Sequence, residues 1–479
     1  MTILDISSAR FFATADGKDL ATDATFDVIN PSTGQVFAQA PAVTPEQLDV
    51  VFAAANRAYG DWKRDDAFRR ASLLAAAAAV EAAVDELAPI LVAEQGKPLS
   101  DARGEIFAAG VWLRYYAELE VPREIIRDDA ERFEEVYRRP LGVVSAITPW
   151  NFPITLAMWK IAPALRAGNT IVVKPSPYTP LTTLALARVL RGVLPDGVLN
   201  VVTGPDPLGA ALVSHPIPRK VSFTGSTAVG KRVAVAAAAD LKRVTLELGG
   251  NDPAIILKDA NVEAVAAKLF WSAFGNNGQI CLAVKRVYAH EDVQPALVEA
   301  LGELARNARV DDGMAPGAQL GPLNNKPQFE RIKDLVSDAV SNGARVVSGG
   351  HVIERPGYFY SPTILDNVND DFRVVNEEQF GPVLPVMSFT DEADAIQRAN
   401  NSEYGLTASV WSADPERAAS IASEIDSGQV SINVHGGGVQ KHLPFGGHKW
   451  SGIGVENGPW GLTSFTELQV ISGPSRLKQ

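Results

Sequence analysis

Two residues define the chemistry open to this chain. Cys281 is the single cysteine among 479 residues and closes the segment Phe274-Gly275-Asn276-Asn277-Gly278-Gln279-Ile280-Cys281, and Glu247 lies 34 positions earlier in Leu246-Glu247-Leu248-Gly249-Gly250. A thiolate attacks an electrophilic carbon, and a carboxylate of suitable pKa then activates water to hydrolyse the resulting thioester. A lone cysteine is ordinarily a small buried hydrophobe. Here the flanking Gly275, Asn276, Asn277, Gly278 and Gln279 pack cores poorly and suit an exposed turn with free amides, which marks Cys281 as a nucleophile. Glu247, set among two leucines and two glycines, does not read as an ordinary surface carboxylate.

The elements that must hold these groups follow from periodicity. Residues 45–120 read as helical, with Ala, Leu, Val, Glu and Arg at short intervals, and no chemistry is expected there. From residue 141 short β-branched runs (Val143-Val144-Ser145-Ala146-Ile147, Thr170-Ile171-Val172-Val173, Asn200-Val201-Val202, Lys220-Val221-Ser222-Phe223) alternate with amphipathic stretches over 181–190 and 228–239. That alternation predicts a parallel sheet with crossover helices. A second such series begins at Ala254-Ile255-Ile256-Leu257 and continues through Val287-Tyr288-Ala289, Arg345-Val346-Val347-Ser348 and Ala408-Ser409-Val410-Trp411, predicting a second α/β domain after Gly250. The charged stretch 123–139 predicts a hairpin reaching away from the body, and Ser464 to Ile471 alternates like an edge strand awaiting a partner. Strand 220–223 runs into Thr224-Gly225-Ser226-Thr227-Ala228-Val229-Gly230, where small residues and a helix N-terminus suit a phosphate, although the glycines stand five apart and do not form GxGxxG. A second strand end, Val173-Lys174-Pro175-Ser176, sets a lysine where a ribose or phosphate would lie.

Length predicts two to four domains, and 46% hydrophobic residues are ample for their cores. With 44 basic against 56 acidic residues, net −12, and no Lys/Arg block, neither a nucleic-acid nor a membrane partner is expected. The first residues lack the basic and apolar regions of a signal peptide, and one cysteine precludes an intrachain disulfide framework. A cytoplasmic protein is expected.

Seven runs in order (Thr148-Pro149-Trp150-Asn151-Phe152-Pro153, Lys174-Pro175-Ser176, Phe223-Thr224-Gly225-Ser226, Leu246-Glu247-Leu248-Gly249-Gly250, Gly278-Gln279-Ile280-Cys281, Glu378-Gln379-Phe380-Gly381-Pro382-Val383 and Pro444-Phe445-Gly446-Gly447) make the chain resemble the NAD(P)-dependent aldehyde dehydrogenase superfamily, in its hydrolytic branch, over essentially its whole length. The resemblance implies an α/β fold with a Rossmann-like cofactor domain (1–122 and 141–250), an α/β catalytic domain (251–463) and a small β oligomerisation element (123–140 and 464–479), assembled as a homodimer or homotetramer. It implies Cys281 as nucleophile, Glu247 as general base, and Asn151 as an amide donor that stabilises the alkoxide formed by attack, with the Cys281 N–H as companion. Lys160 and Glu456 match positions assigned to proton transfer; in isolation a helix-borne lysine and a loop glutamate read as solvated. Thr148, Pro149, Trp150, Lys174, Ser176, Gly225, Ser226, Leu248, Glu378 and Phe380 would hold the dinucleotide, Glu378 at the nicotinamide ribose. The reaction implied is oxidation of a small-molecule aldehyde to the carboxylic acid through a thiohemiacetal and a thioester.

Where many NAD-preferring relatives carry a glutamate three residues after Lys174, this chain has Pro177. The repulsion of a 2′-phosphate is therefore missing, which leaves NAD or NADP open with NAD slightly favoured. Phe152, Leu156, Trp159, Phe274, Leu282 and Val439 predict a largely apolar pocket for an aromatic or medium-chain aldehyde, entered past the glycine-rich loop from His435 to His442. The histidines at 435, 442 and 448 lack helical spacing and a cysteine companion, so no metal is expected. The alternatives are a CoA-acylating aldehyde dehydrogenase, against which Glu247 argues because such an enzyme needs no water-activating base, and a catalytically inactive structural homologue, against which the set Asn151, Glu247 and Cys281 argues.

Overall fold

The computed structural model describes residues 6, 8–436 and 440–475. Its first sheet runs in the spatial order Gly452–Ile453, Arg243–Glu247, Lys220–Thr224, Val143–Ile147, Thr170–Lys174, Leu199–Val201. All neighbours are parallel except Gly452–Ile453, which returns antiparallel from the far end of the chain onto Arg243–Glu247. Val143–Ile147, Thr170–Lys174 and Lys220–Thr224 are buried on both faces because helices cover both sides. The chain leaves Val143–Ile147 in one direction, towards Leu199–Val201, and later returns to its other side with Lys220–Thr224. Strand order reverses there, and in open parallel sheets ligands bind at the carboxyl ends of the strands beside such a switch. The loops leaving these two strands begin with Thr148-Pro149-Trp150-Asn151 and Gly225-Ser226.

A second sheet has the order Arg345–Ser348, Thr363–Asp366, Val383–Phe389, Val284–His290, Asp252–Ile256, Thr407–Trp411, Gln429–Ile432. It departs from the expected parallel alternation at Arg345–Ser348, which pairs antiparallel with Thr363–Asp366. No helix lies between these two strands to carry a parallel crossover. Residues 248–251 lead directly from Arg243–Glu247 in the first sheet to Asp252–Ile256 in the second. The carboxyl ends of one sheet therefore face the amino ends of the other, where Val284–His290 begins three residues after Cys281.

The helices Pro45–Trp62, Asp66–Ala82, Val84–Gln95 and Leu99–Glu118 share a core with the helix Pro153–Arg166. The charged stretch is a hairpin, Arg123–Asp128 with Arg132–Pro140, and the C-terminal strand Thr466–Pro474 finds its partner within the chain, pairing antiparallel with Arg132–Pro140. Among the described residues no helix is long and apolar enough to cross a membrane.

Candidate active site

The helix Val262–Phe274 ends in a single tight turn, Gly275–Gly278, in which Asn276, Asn277 and Gly278 take φ values of 48°, 59° and 73°. Asn and Gly are the residues that tolerate this left-handed conformation. At Gly278 a Cβ would lie 2.3 Å from Gly381 O, so glycine is demanded by space as well. The turn reverses the chain and brings Cys281 to a cavity wall. In one respect the expectation from sequence needs correction: Asn276, Asn277, Gly278 and Gln279 are buried, not exposed. The protein satisfies much of their hydrogen bonding itself, since Gln279 Nε2 donates to Asn276 O (2.9 Å), Gln279 Oε1 accepts from Asn324 N (2.8 Å) and Asn276 Nδ2 donates to Asn151 O (3.1 Å). Burial pushes the Cys281 thiol up to about 12, opposed by Lys285 and reinforced by Asp252, Glu378 and Glu247.

Asn151 leaves the strand Val143–Ile147 and stands two residues before the helix Pro153–Arg166, which has proline at its first position as helix starts favour. Its side-chain amide donates to Gln279 O at 2.9 Å. The helical region 45–120, from which no chemistry was expected, supplies the support. Lys97 and Glu105 form a fully buried ion pair; Lys97 Nζ donates to Asn151 O (2.9 Å) and stands 3.8 Å from the centre of the Phe152 ring, while Glu105 Oε1 accepts the N–H groups of Ile154 (2.9 Å) and Thr155 (3.1 Å). A carboxylate on those free N-terminal amides fixes where the helix begins, and with it the Asn151 turn. Nothing in the sequence set this pair apart from the other charges nearby, Glu94, Asp101 and Arg103.

Glu247 ends its strand with its carbonyl accepting the Gly225 N–H at 3.0 Å. Its carboxyl is buried, and neither oxygen has a hydrogen-bond partner among the described residues. Burial, then Glu456, holds it well above the usual carboxylate range, with Lys160 opposing. It does not line the cavity that Cys281 and Asn151 share. Lys160 and Glu456, far from solvated, are paired in the interior: Lys160 Nζ donates to Glu456 Oε1 (2.6 Å) and to Thr224 Oγ1 (2.7 Å), and Ser222 Oγ also reaches Glu456 Oε1 (3.3 Å).

Two cavities meet at the switch point. One, of about 650 Å³, has Asn151, Cys281, Pro149, Trp150, Gly225, Ser226, Leu248, Glu378 and Phe380 on its wall. The other, of about 390 Å³, shares Pro149, Trp150, Thr224, Gly225 and Ser226 with it and adds Thr148, Lys174 and Ser176, so all ten expected dinucleotide residues border one continuous trough. Thr224, the first residue of the phosphate turn, also lines it, as do Asp206 and Arg232, which the sequence did not mark; Arg232 lies six residues past Ser226 on the helix Thr227–Ala238, which Ser226 caps. The residues fit a dinucleotide. Gly249 permits close approach, since a Cβ there would lie 2.2 Å from Glu378 Oε2. Glu378 accepts the Gly250 N–H (3.1 Å) and presents a half-buried carboxylate to the cavity. Phe380, held at φ 54°, packs edge-on to Trp150 at 5.3 Å. Lys174 is buried with its Nζ no nearer than 3.5 Å to Pro175 O, and burial, opposed by Asp206, draws its pKa down to about 8.

Beside Cys281, Leu156, Trp159, Leu406 and Phe445 form an apolar cluster that also takes in Trp112, Phe152 and Leu282. Trp159 stacks on Trp112 (6.0 Å) and meets the edge of Phe445 (5.2 Å). Phe445 lies within the motif Pro444-Phe445-Gly446-Gly447 and was the one readable addition; Trp112 and Leu406 had no local signal. Phe274 is corrected: it is fully buried in a separate core, stacked on Phe270 at 4.8 Å, because the helix Val262–Phe274 directs it inward. Val439 lies outside the described residues. The histidines disperse, His435 to Ser409 and Leu282, and His448 to Asp426.

The chain matches the family described as "Aldehyde dehydrogenase family" over residues 19–471. It is 38% identical to the succinate-semialdehyde dehydrogenase [NADP(+)] GabD of Escherichia coli, over 93% of each chain. It is 36% identical to the chloroplastic betaine aldehyde dehydrogenase of Beta vulgaris, covering 98% of this chain and 97% of that one. The solved structure of an aldehyde dehydrogenase from Bacillus cereus in complex with NAD+ superposes with a TM-score of 0.95 at 36% identity over 98% of both chains. The chain therefore belongs to the aldehyde dehydrogenase family, as an oxidoreductase that acts on an aldehyde group with NAD or NADP.

Proposed function

We propose that the chain oxidises an apolar aldehyde to its carboxylic acid by covalent catalysis at Cys281, and the observation that carries this reading is the shared cavity wall of Cys281 and Asn151. The thiolate of Cys281 attacks the carbonyl carbon and a thiohemiacetal forms. The Asn151 amide, with one N–H committed to Gln279 O, has a second to offer the developing alkoxide, and the Cys281 N–H is its companion. NAD(P), held along the trough from Lys174 and Ser176 to Glu378 and Phe380, supplies the hydride acceptor when bound. Glu247, whose burial makes it a stronger base than an exposed carboxylate, takes a proton from water as that water attacks the thioester. The Lys160–Glu456 pair then receives the proton in the interior.

The apolar side chains beside Cys281, among them Leu156, Trp159, Leu406 and Phe445, support an aromatic or medium-chain aldehyde. The domains are read as 1–122 with 141–250, 251–463, and 123–140 with 464–479. Ile125, Ile126, Leu468 and Val470, exposed on the three-stranded sheet, are the surface on which a second copy would form the homodimer or homotetramer. A cytoplasmic setting accords with a sole cysteine kept as a thiol.

The test is direct. Glu247→Gln mixed with benzaldehyde or hexanal and NAD(P) is quenched in acid and digested. An acyl group on the Cys281 peptide is the expected result; reduced cofactor without any such adduct defeats the mechanism.

A further inference from the structure

Four consecutive carbonyls of the nucleophile loop are held by side chains from other parts of the chain. Gln279 O accepts from Asn151 Nδ2 at 2.9 Å, Ile280 O and Cys281 O accept from Lys285 Nζ at 3.0 and 2.6 Å, and Leu282 O meets His435 Nε2 at 2.9 Å. The histidine tautomer follows from its neighbours: Leu282 O can only accept, so Nε2 carries the hydrogen, and the bare Nδ1 accepts from Ser409 Oγ. Burial draws the His435 pKa down to about 4, so its ring is neutral. Of these three donors only Lys285 is a cation.

Strand alternation explains how it comes to be there. Lys285 and Arg286 are the second and third residues of the strand Val284–His290 and point to opposite faces. Arg286 turns away to Asn251 O (2.8 Å) and Ala399 O (3.0 Å), and Lys285 turns towards the loop it has just left. Its buried ammonium spends two donors on the carbonyls at and before Cys281, with Glu378 Oε1 3.5 Å away. The other titratable groups acting on the thiol are Asp252, Glu378 and Glu247, and all three disfavour a second negative charge.

We propose that Lys285 is a positioning residue for Cys281, pinning the loop through its carbonyls while supplying the positive charge that makes a thiolate tenable inside the protein. The idea rests on Cys281 as the nucleophile, but its test reads the thiol itself. Cofactor-free enzyme is alkylated with iodoacetamide across a range of pH, the Cys281 peptide is followed by mass spectrometry, and thermal unfolding is recorded in parallel. Lys285→Met is expected to alkylate about tenfold more slowly at neutral pH, with its profile moved to higher pH. Lys285→Arg, which keeps charge and donors, should track the wild type. Lys285→Gln, which keeps donors and loses charge, should follow Lys285→Met and serves in its place if that variant does not fold. A folded Met or Gln variant with the wild-type profile, or an Arg variant as slow as either, overturns the proposal. Activity in Cys281→Ala bears on the nucleophile alone, so the two failures are distinguishable.

Discussion

Asn151 Nδ2 lies 2.9 Å from Gln279 O, a hydrogen bond that ties the loop after one sheet's strand to the loop before the other's across 128 residues of sequence. The amide proposed to meet the reacting carbonyl is thus fixed relative to the sulfur two residues beyond Gln279. Asn151→Ala is expected to lower kcat/KM for aldehyde by about 10²–10³-fold, the usual effect of losing one oxyanion donor, with the Kd for NAD(P) little changed. Steady-state kinetics with cofactor titration by fluorescence checks both.

Cys281→Ala should produce no NAD(P)H from any aldehyde while still binding the dinucleotide, since the trough is lined mainly by other residues. Turnover that survives in this variant, prepared free of wild-type enzyme, excludes the thiol as nucleophile.

Glu247→Gln should keep a burst of reduced cofactor, one per active site, and lose about 10²–10⁴-fold in the steady rate. The base acts only when ionised, and burial raises the pH at which it ionises. Wild-type deacylation should therefore climb with pH through that raised pKa and fall below it, and stopped-flow rates should show this limb vanish in the glutamine variant.

Lys97→Met removes the hydrogen bond to Asn151 O and leaves the Glu105 carboxylate buried without its cation, with only its two contacts to the Ile154 and Thr155 N–H groups. Breaking one side of a buried pair costs about 3–5 kcal/mol. Urea denaturation should show that loss, and kcat should fall with it although Lys97 is not on the wall of the cavity that holds Cys281.

Glu94 caps the helix Leu181–Leu190 by accepting the N–H groups of Leu181 (2.6 Å) and Thr182 (2.8 Å), and its backbone carbonyl accepts from Asn324, whose own N–H holds Gln279. Burial pushes its carboxyl from 4.5 up to about 7. The folded state binds this proton more tightly than the unfolded one, so the stabilisation is fully present below 4.5 and lost as pH rises through about 7, on the order of 3 kcal/mol in all. Glu94→Gln should flatten the dependence of unfolding free energy on pH over that interval, measured by urea titrations at successive pH values.

The types and order of the reactive groups were legible in the chain itself. A sole cysteine after a run of Asn and Gly, a glutamate set among two leucines and two glycines, and β-branched runs in alternation with helices depend on local spacing, which is what periodicity records. Convergence was not. That Lys97 reaches Asn151 O across 54 residues, that His435 meets Leu282 O across 153, and that Gly452–Ile453 joins the first sheet are consequences of packing. Burial decided more still. The same carboxyl, thiol or ammonium reads alike in any sequence, but only the folded interior determines that the Asn-Gly turn is enclosed, that Lys160 and Glu456 are a pair instead of solvated charges, and that Phe274 belongs to the core, because solvation and partners are properties of what surrounds a group in space and not along the chain.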